Sequence, residues 1–524
     1  MIYSEGQRNI CMQVHPANRR AQIAFEYVSV CALMFLSIAF LIFCLVGLVS
    51  PNWVINESLY VLILLFWFLS IIFCFTNITK HLLLFLFLGC FFSFLMARNF
   101  LTYIQTGVFN VFTKFHVIAL NVQEYQLFAE IMFLSLFSLF FSYYFLSRDK
   151  RGEVKPKENV VLSVEKQQKF SVYHFLSKIG FFVCLPFQFY VNFVQMLQRR
   201  ESSYVDSYVH QLSFPFFVRI FVALFFISFV LFLATKPKKR EILLVFFVFF
   251  VTEGFIPLLG GARMEMAIII LFFIWYVNRF DSMQSRSDQK IFKKKYVVLT
   301  IIGGVVLIVL FAVVELLRTD RQVEFSLFDL INYFFDSLGG SDGVLANFIQ
   351  LQDQFPKPGY VYFFNGIHRT FFDNSIVRGI VAFLSGTEAL PIPSQGAEYL
   401  AQFDNFSHWL TSLVDYNRYI AGEGMGSAYM AETYFAFGFV GILLYGFLLG
   451  VIIFLLSRLD FSKHLWLNVF FMFICYQLFA LPRSAPMSLL DNILYFIAGF
   501  ILYFMAYKII VKSNLLIYKN NKII

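Results

Sequence analysis

Two glycine-rich segments, Gly260-Gly261-Ala262-Arg263 and Gly422-Glu423-Gly424-Met425-Gly426-Ser427, each lead into a long apolar stretch. At a helix N-terminus the first N–H groups have no intrahelical partner and the dipole is positive, so such an entry can hold an anion. Ser427 is placed to cap the second helix. Arg263 adds a guanidinium, which grips phosphate oxygens in a bidentate fork and stays charged at any relevant pH. Arg318 and Arg321 stand three residues apart, on one face if a helix continues through them, with Glu315 one turn earlier and able to pair with Arg318. Farther along come His368, Arg369, Asp373, Arg378, Asp415 and Arg418. Arg263, Arg318, Arg321, Arg378 and Arg418 are the candidate diphosphate binders, where they would stabilise charge developing on a leaving group. Glu432, Glu423 and Asp415 are the candidate bases for an attacking hydroxyl, a role worth roughly 10²–10⁴ in rate. Glu432 serves equally well as the structural partner of an arginine. No ATP-binding motif is present, so the energy would have to reside in the diphosphate bond. No CxxC, HExxH or paired-His spacing occurs, and neither a metal nor another cofactor is expected.

These residues need a scaffold, and its class follows from composition. Hydrophobic residues make up 59% of the 524 and charged residues only 14%, against roughly 25% charged in soluble domains. The expected fold is an all-α polytopic membrane protein, one integral domain over 1–524. Windows of about 20 apolar residues predict twelve spans near 28–50, 58–77, 81–99, 125–146, 171–196, 214–234, 242–258, 264–279, 296–316, 428–456, 465–482 and 489–511. Basic residues flanking spans stay on the cytoplasmic side. With the N-terminus inside, cytoplasmic segments collect 27 of the 41 Lys and Arg, seven of them in a basic linker at 147–170. Both termini are therefore expected inside, and a large loop between the ninth and tenth spans, 317–427, outside. The net charge of +9 reflects this bias and gives no support for a nucleic-acid partner. The first 27 residues are polar and the first apolar run is long enough to remain as an anchor, so no cleavable signal peptide is expected.

Polar residues in the spans gather at one depth. Glu130, Gln188, Asn192, Arg219, Glu253, Glu315, Glu432 and Asp491 all fall within about two turns of the expected outer ends. That pattern describes a cavity open to the outer face, although several of these groups could simply snorkel or pair. In the loop, Phe325, Phe328, Ile331, Phe335 and Leu338 recur at helical spacing, which predicts an amphipathic helix on the membrane surface. Tyr360, Tyr362, Trp409 and Tyr416 could stack on sugar rings or anchor the loop at the interface.

The long outer loop, the Gly-Gly-Ala-Arg263 entry and the run from Gly424 through Ser427, Ala431-Glu432-Thr433-Tyr434 to Gly441 resemble bacterial Wzy-type O-antigen (oligosaccharide repeat-unit) polymerases. The resemblance implies a membrane-embedded glycosyltransferase of the C-type (GT-C) fold in the bacterial inner membrane. It implies that undecaprenyl-diphosphate-linked oligosaccharide is both donor and acceptor at the periplasmic face, with membrane lipid around it and a chain-length regulator (Wzz) as partner. Arg263 matches the Arg of the family's Gly-rich entry and Glu432 its acidic residue; the other arginines rest on position and charge. Arg369, His368, Ser427 and Tyr434 complete the candidates. Two alternatives share features. An O-antigen ligase would use the same arginines and an outer-loop His, for which His368 is available. A glycolipid flippase would need symmetric halves and polar residues reaching the inner face, and neither is evident.

Overall fold

A computed structural model describes residues 16–107, 111–112, 117–118, 120–148, 164–201, 212, 214–284, 290–291, 334–335, 340–372, 375–386 and 395–520. The chain is helical almost throughout. In order come α1 (Pro16–Val49), α2 (Trp53–Thr76), α3 (Ile78–Leu95), α4 (Ala97–Thr106), α5 (Val122–Arg148), α6 (Val164–Glu201), α7 (Phe216–Ala234) and α8 (Lys239–Phe249). A wider i→i+5 turn, Phe250–Phe255, joins α8 to α9 (Ile256–Leu259), and α10 (Met264–Ser282) returns beside them. Then follow α11 (Gly340–Leu351), α12 (Gly359–Phe372), α13 (Ser375–Ser385), α14 (Ala397–Gln402), α15 (Phe406–Val414), α16 (Tyr416–Ile420), α17 (Tyr429–Ser457), α18 (Leu465–Leu478) and α19 (Ile493–Asn520). The described strands are a two-residue antiparallel pair, Val111–Phe112 with Val117–Ile118.

Among the described residues nine helical stretches are long and apolar enough to cross a membrane. The expected count of twelve is therefore not reproduced. Glu265, Arg279 and Asp281 dilute α10, α18 stops after 14 residues, and the expected ninth span, 296–316, lies outside the described residues. Of the expected 147–170 linker, α5 reaches Arg148 and α6 begins at Val164, and 149–163 lie outside the described residues.

The most extensive helix pair is α5 with α17. Gly446 and Gly450, one turn apart, bring the backbones together: a Cβ at Gly446 would collide with Ser138, and one at Gly450 with Ser142 and the Leu139 carbonyl. In hydrocarbon no hydrophobic force joins helices, so close packing across small residues must do so. At one end of the bundle the segments expected inside meet. Lys80 Nζ donates to the Ser147 carbonyl at 3.2 Å, Asn278 to Thr79 at 3.0 Å and Arg279 to Leu459 at 2.6 Å. At the other end Asn56 donates to the Val122 carbonyl at 2.8 Å and Tyr445 to Pro486 at 2.6 Å.

The long interruption between spans contributes to the core, which its polarity does not predict. Every residue of α11 from Ser341 to Ile349 is buried, packed against α3, α5, α15 and α17. Tyr362 is likewise buried beside Phe355 and Phe435, not presented to a sugar, whereas Tyr360 and Tyr416 are exposed. The amphipathic helix expected over 325–338 lies outside the described residues except at Phe334 and Phe335, where the chain is helical.

Candidate functional site

The second glycine-rich entry is built by backbone conformations that side chains disfavour: Gly422 has φ 94° and Gly426 φ 80°. They turn the chain from α16 into α17, which starts at Tyr429 with Ala428 as its N-cap. Ser427 is therefore not the cap. Its Oγ donates instead to Glu432 Oε1, one turn into the helix. Glu432 is only 3% exposed, in a helix start where Ala428, Tyr429, Met430 and Ala431 are also buried and the Tyr429 hydroxyl meets Ser135 Oγ at 2.6 Å. A buried carboxylate needs a partner, and Ser427 supplies one. Six residues on, Gly438 takes φ 59°, ψ −151° and breaks α17, a conformation essentially open to glycine alone.

Around this entry other segments converge. Asp491 lies in Coulombic range of Glu432 and is itself exposed. It ends the tight turn Pro486–Leu490 and is followed by Asn492 at φ 64°, so the chain reverses sharply at this carboxylate. Arg369, on exposed α12, acts electrostatically on both Asp491 and His408. His408, on α15, stacks on Tyr399 at 4.1 Å, and its Nδ1 lies 3.2 Å from the Tyr419 hydroxyl. Burial first, then the Arg369 charge, pushes His408 down from 6.5 to about 4, so the ring is neutral near pH 7. Burial also raises Tyr419 to about 12, and its hydroxyl reaches the Gly396 carbonyl at 3.3 Å. An exposed carboxylate and an arginine within electrostatic range of each other can, respectively, accept a proton from a hydroxyl and bind an anion.

The remaining candidates are dispersed. Asp415 caps α16 through the Arg418 N–H at 3.0 Å and pairs with Arg418 Nε at 3.5 Å, so both are engaged locally. Glu423 is half-buried; its N–H donates to the Arg418 carbonyl at 3.0 Å and its carbonyl accepts from Gln395 at 2.6 Å. The Arg378 guanidinium sits 5.5 Å from the Phe403 ring centre. Arg263 is buried where the hairpin turn, with Gly261 at φ 88°, enters α10. Tyr434 is half-buried between Phe348 and Phe439, and His368 is exposed beside Phe372. Arg318, Arg321, Glu315 and Asp373 lie outside the described residues.

Neither His408 nor Arg483 is among the candidates read from sequence. The turn Leu481–Arg483 packs against α3, α11 and α17, which places Arg483 half-buried among the helices that hold the entry. Neither residue carries a spacing signal; both are brought in by tertiary contacts. A second polar group forms on the hairpin of α8, α9 and α10. Asn192 donates to the Thr252 carbonyl at 2.8 Å and to Glu253 Oε1 at 3.3 Å, and Gln188 donates to Asn192 at 3.3 Å. These amides pin the widened turn that carries Glu253.

Among the described residues no group of three or more His, Cys, Asp or Glu side chains is arranged to hold a metal. A family model described as O-antigen polysaccharide polymerase Wzy matches residues 30–514, nearly the whole chain. No curated protein and no solved structure matches.

Proposed function

The chain belongs to the O-antigen polysaccharide polymerase Wzy family, and on that premise we propose that it joins undecaprenyl-diphosphate-linked oligosaccharide repeats into polysaccharide at the periplasmic face of the inner membrane. The observation that supports this reading is the electrostatic coupling of Arg369 with Asp491 and of Asp491 with the buried Glu432, where α12 packs against the Pro486–Leu490 turn. The basic residues gathered at the opposite end support cytoplasmic termini.

In the proposed reaction a hydroxyl of the acceptor's terminal sugar attacks the donor's anomeric carbon. The new glycosidic bond forms as the carbon–oxygen bond to the diphosphate breaks, and undecaprenyl diphosphate leaves with the electron pair. Asp491 takes the hydroxyl proton, because it is exposed while Glu432 is enclosed and already accepts from Ser427. Glu432 stands behind it and holds the entry's geometry. Arg369 faces the leaving diphosphate, with Arg318 and Arg321 proposed as further guanidiniums for it, while Arg418 is held by Asp415 and Arg378 lies against the Phe403 ring. No nucleotide is consumed. The scaffold is proposed to be of the GT-C type, with a chain-length regulator acting on the product's length.

The test is reconstitution. Purified protein in proteoliposomes, given lipid-linked repeat and no lipid A core, is expected to give a ladder of lipid-linked polymer. Repeats consumed only when lipid A core is added would establish a ligase instead, and repeats moved across the bilayer without lengthening would establish a flippase.

A further inference from the structure

Two helices of the 340–428 segment are too short to cross a membrane yet turn apolar faces outward. On α12, Tyr360, Phe364, Ile367 and Phe371 recur at i, i+4, i+7 and i+11, one stripe along the helix. Tyr360, Phe364 and Phe371 are exposed and Ile367 is half-buried. The other face is fixed: Tyr362 and Phe363 are buried, and a Cβ at Gly359 would collide with the Phe435 backbone of α17. On α13, Val377, Val381 and Leu384 repeat the pattern at i, i+4 and i+7; Leu384 is 77% exposed while Ala382 is buried.

The stripe does not end on α12. Phe363 and Phe364 lie 5.0 and 6.2 Å from Phe437 of α17. Below it Val440, Leu444 and Phe447 are exposed along the same helix, which is long and apolar enough to span. The face that must meet lipid along α17 thus runs onto α12 without a charged residue between them. Charge returns at the edges, as Arg369 near the C-terminal end of α12 and Arg378 on α13.

We propose that α12 and α13 lie embedded in the leaflet at this end of the bundle, with Tyr360, Phe364, Phe371, Val381 and Leu384 among acyl chains. Arg369 and Arg378 then sit at the level of the headgroup phosphates, as cations at the rim of an interfacial helix do. The occupant is bilayer lipid, because the surface is continuous with one that already faces it. This embedding is independent of the reaction. Its consequence, that the Asp491 and Arg369 site opens where a lipid-borne diphosphate rests, relies on the polymerase reading.

The test uses the full chain with Cys11 and Cys31 changed to Ser, the other five cysteines being buried. F364C and L384C carry an environment-sensitive fluorophore in nanodiscs of phosphatidylethanolamine and phosphatidylglycerol containing doxyl-labelled lipid. L444C serves as the lipid reference and Y416C as the water reference. Quenching by doxyl lipid is expected to approach that at L444C and to exceed that at Y416C at least threefold. Y360C and V381C report the same helices if the first pair fails to insert. Quenching no greater than at Y416C would overturn the proposal. So would shielding from both doxyl lipid and aqueous iodide, which would mean that a second copy or another protein covers the face.

Discussion

Asp491 illustrates how a functional side chain is made by its surroundings. In sequence only its depth, near the expected outer end of its span, marks it out; the Pro486–Leu490 turn brings it within electrostatic range of both Arg369 and Glu432. Asp491→Asn is expected to lower polymer formation roughly 10²–10⁴-fold at unchanged abundance, measured by radiolabelled product and immunoblot. Arg369→Lys should recover little of the loss in Arg369→Ala, since the bidentate fork is gone. His408 permits a pH prediction. Its folded value of about 4 lies below the ordinary 6.5, so below pH 6.5 the unfolded chain binds the proton that the folded one refuses. Stability should fall as pH drops from 6.5 to 4, by about 1.4 kcal/mol per unit and about 3 kcal/mol in all. His408→Phe, which keeps the stack on Tyr399, should flatten that slope in thermal melts. The glycine-rich entry to a long apolar helix was legible in sequence, with Glu432 on its first turn. Ser427's true partner was not, because a helix that starts two residues later turns a cap into a carboxylate partner.

At the scale of elements, apolar periodicity located the long helices, and the departures have physical causes. α18 ends early where Pro482 begins a tight turn, and α10 carries charges at both ends. The burial of α11 could not be read from sequence, because Ser341, Asp342 and Asn347 look like loop chemistry until four helices enclose them. The α5–α17 contact makes a sharper prediction. Gly446→Ala should destabilise and be partly rescued by Ser138→Ala, since the colliding atom is mainly a side-chain hydroxyl. Gly450→Ala should not be rescued by Ser142→Ala, because the Leu139 carbonyl also blocks it. Abundance in membranes and melting temperature check both. Gly438→Ala meets a backbone penalty of about 1–3 kcal/mol and should straighten or loosen the turns that hold Glu432, lowering product more than abundance.

For the whole molecule, the proposed topology places a basic end in the cytoplasm and the catalytic end outside, and the family match over residues 30–514 gives that arrangement its purpose. The proposed sidedness rests on charge bias, because Lys and Arg at span ends carry sidedness information. The packing of α12 against α17 and the Pro486–Leu490 turn was not legible, since those contacts cross dozens of residues. The most direct measurement is polymer formation by purified protein in proteoliposomes, with lipid-linked repeat confined to the leaflet facing the 340–428 end. A polymer ladder is expected from the unaltered protein and none from Asp491→Asn at equal abundance. A full ladder from Asp491→Asn, or polymer only when the repeat is confined to the opposite leaflet, would contradict the proposed reaction.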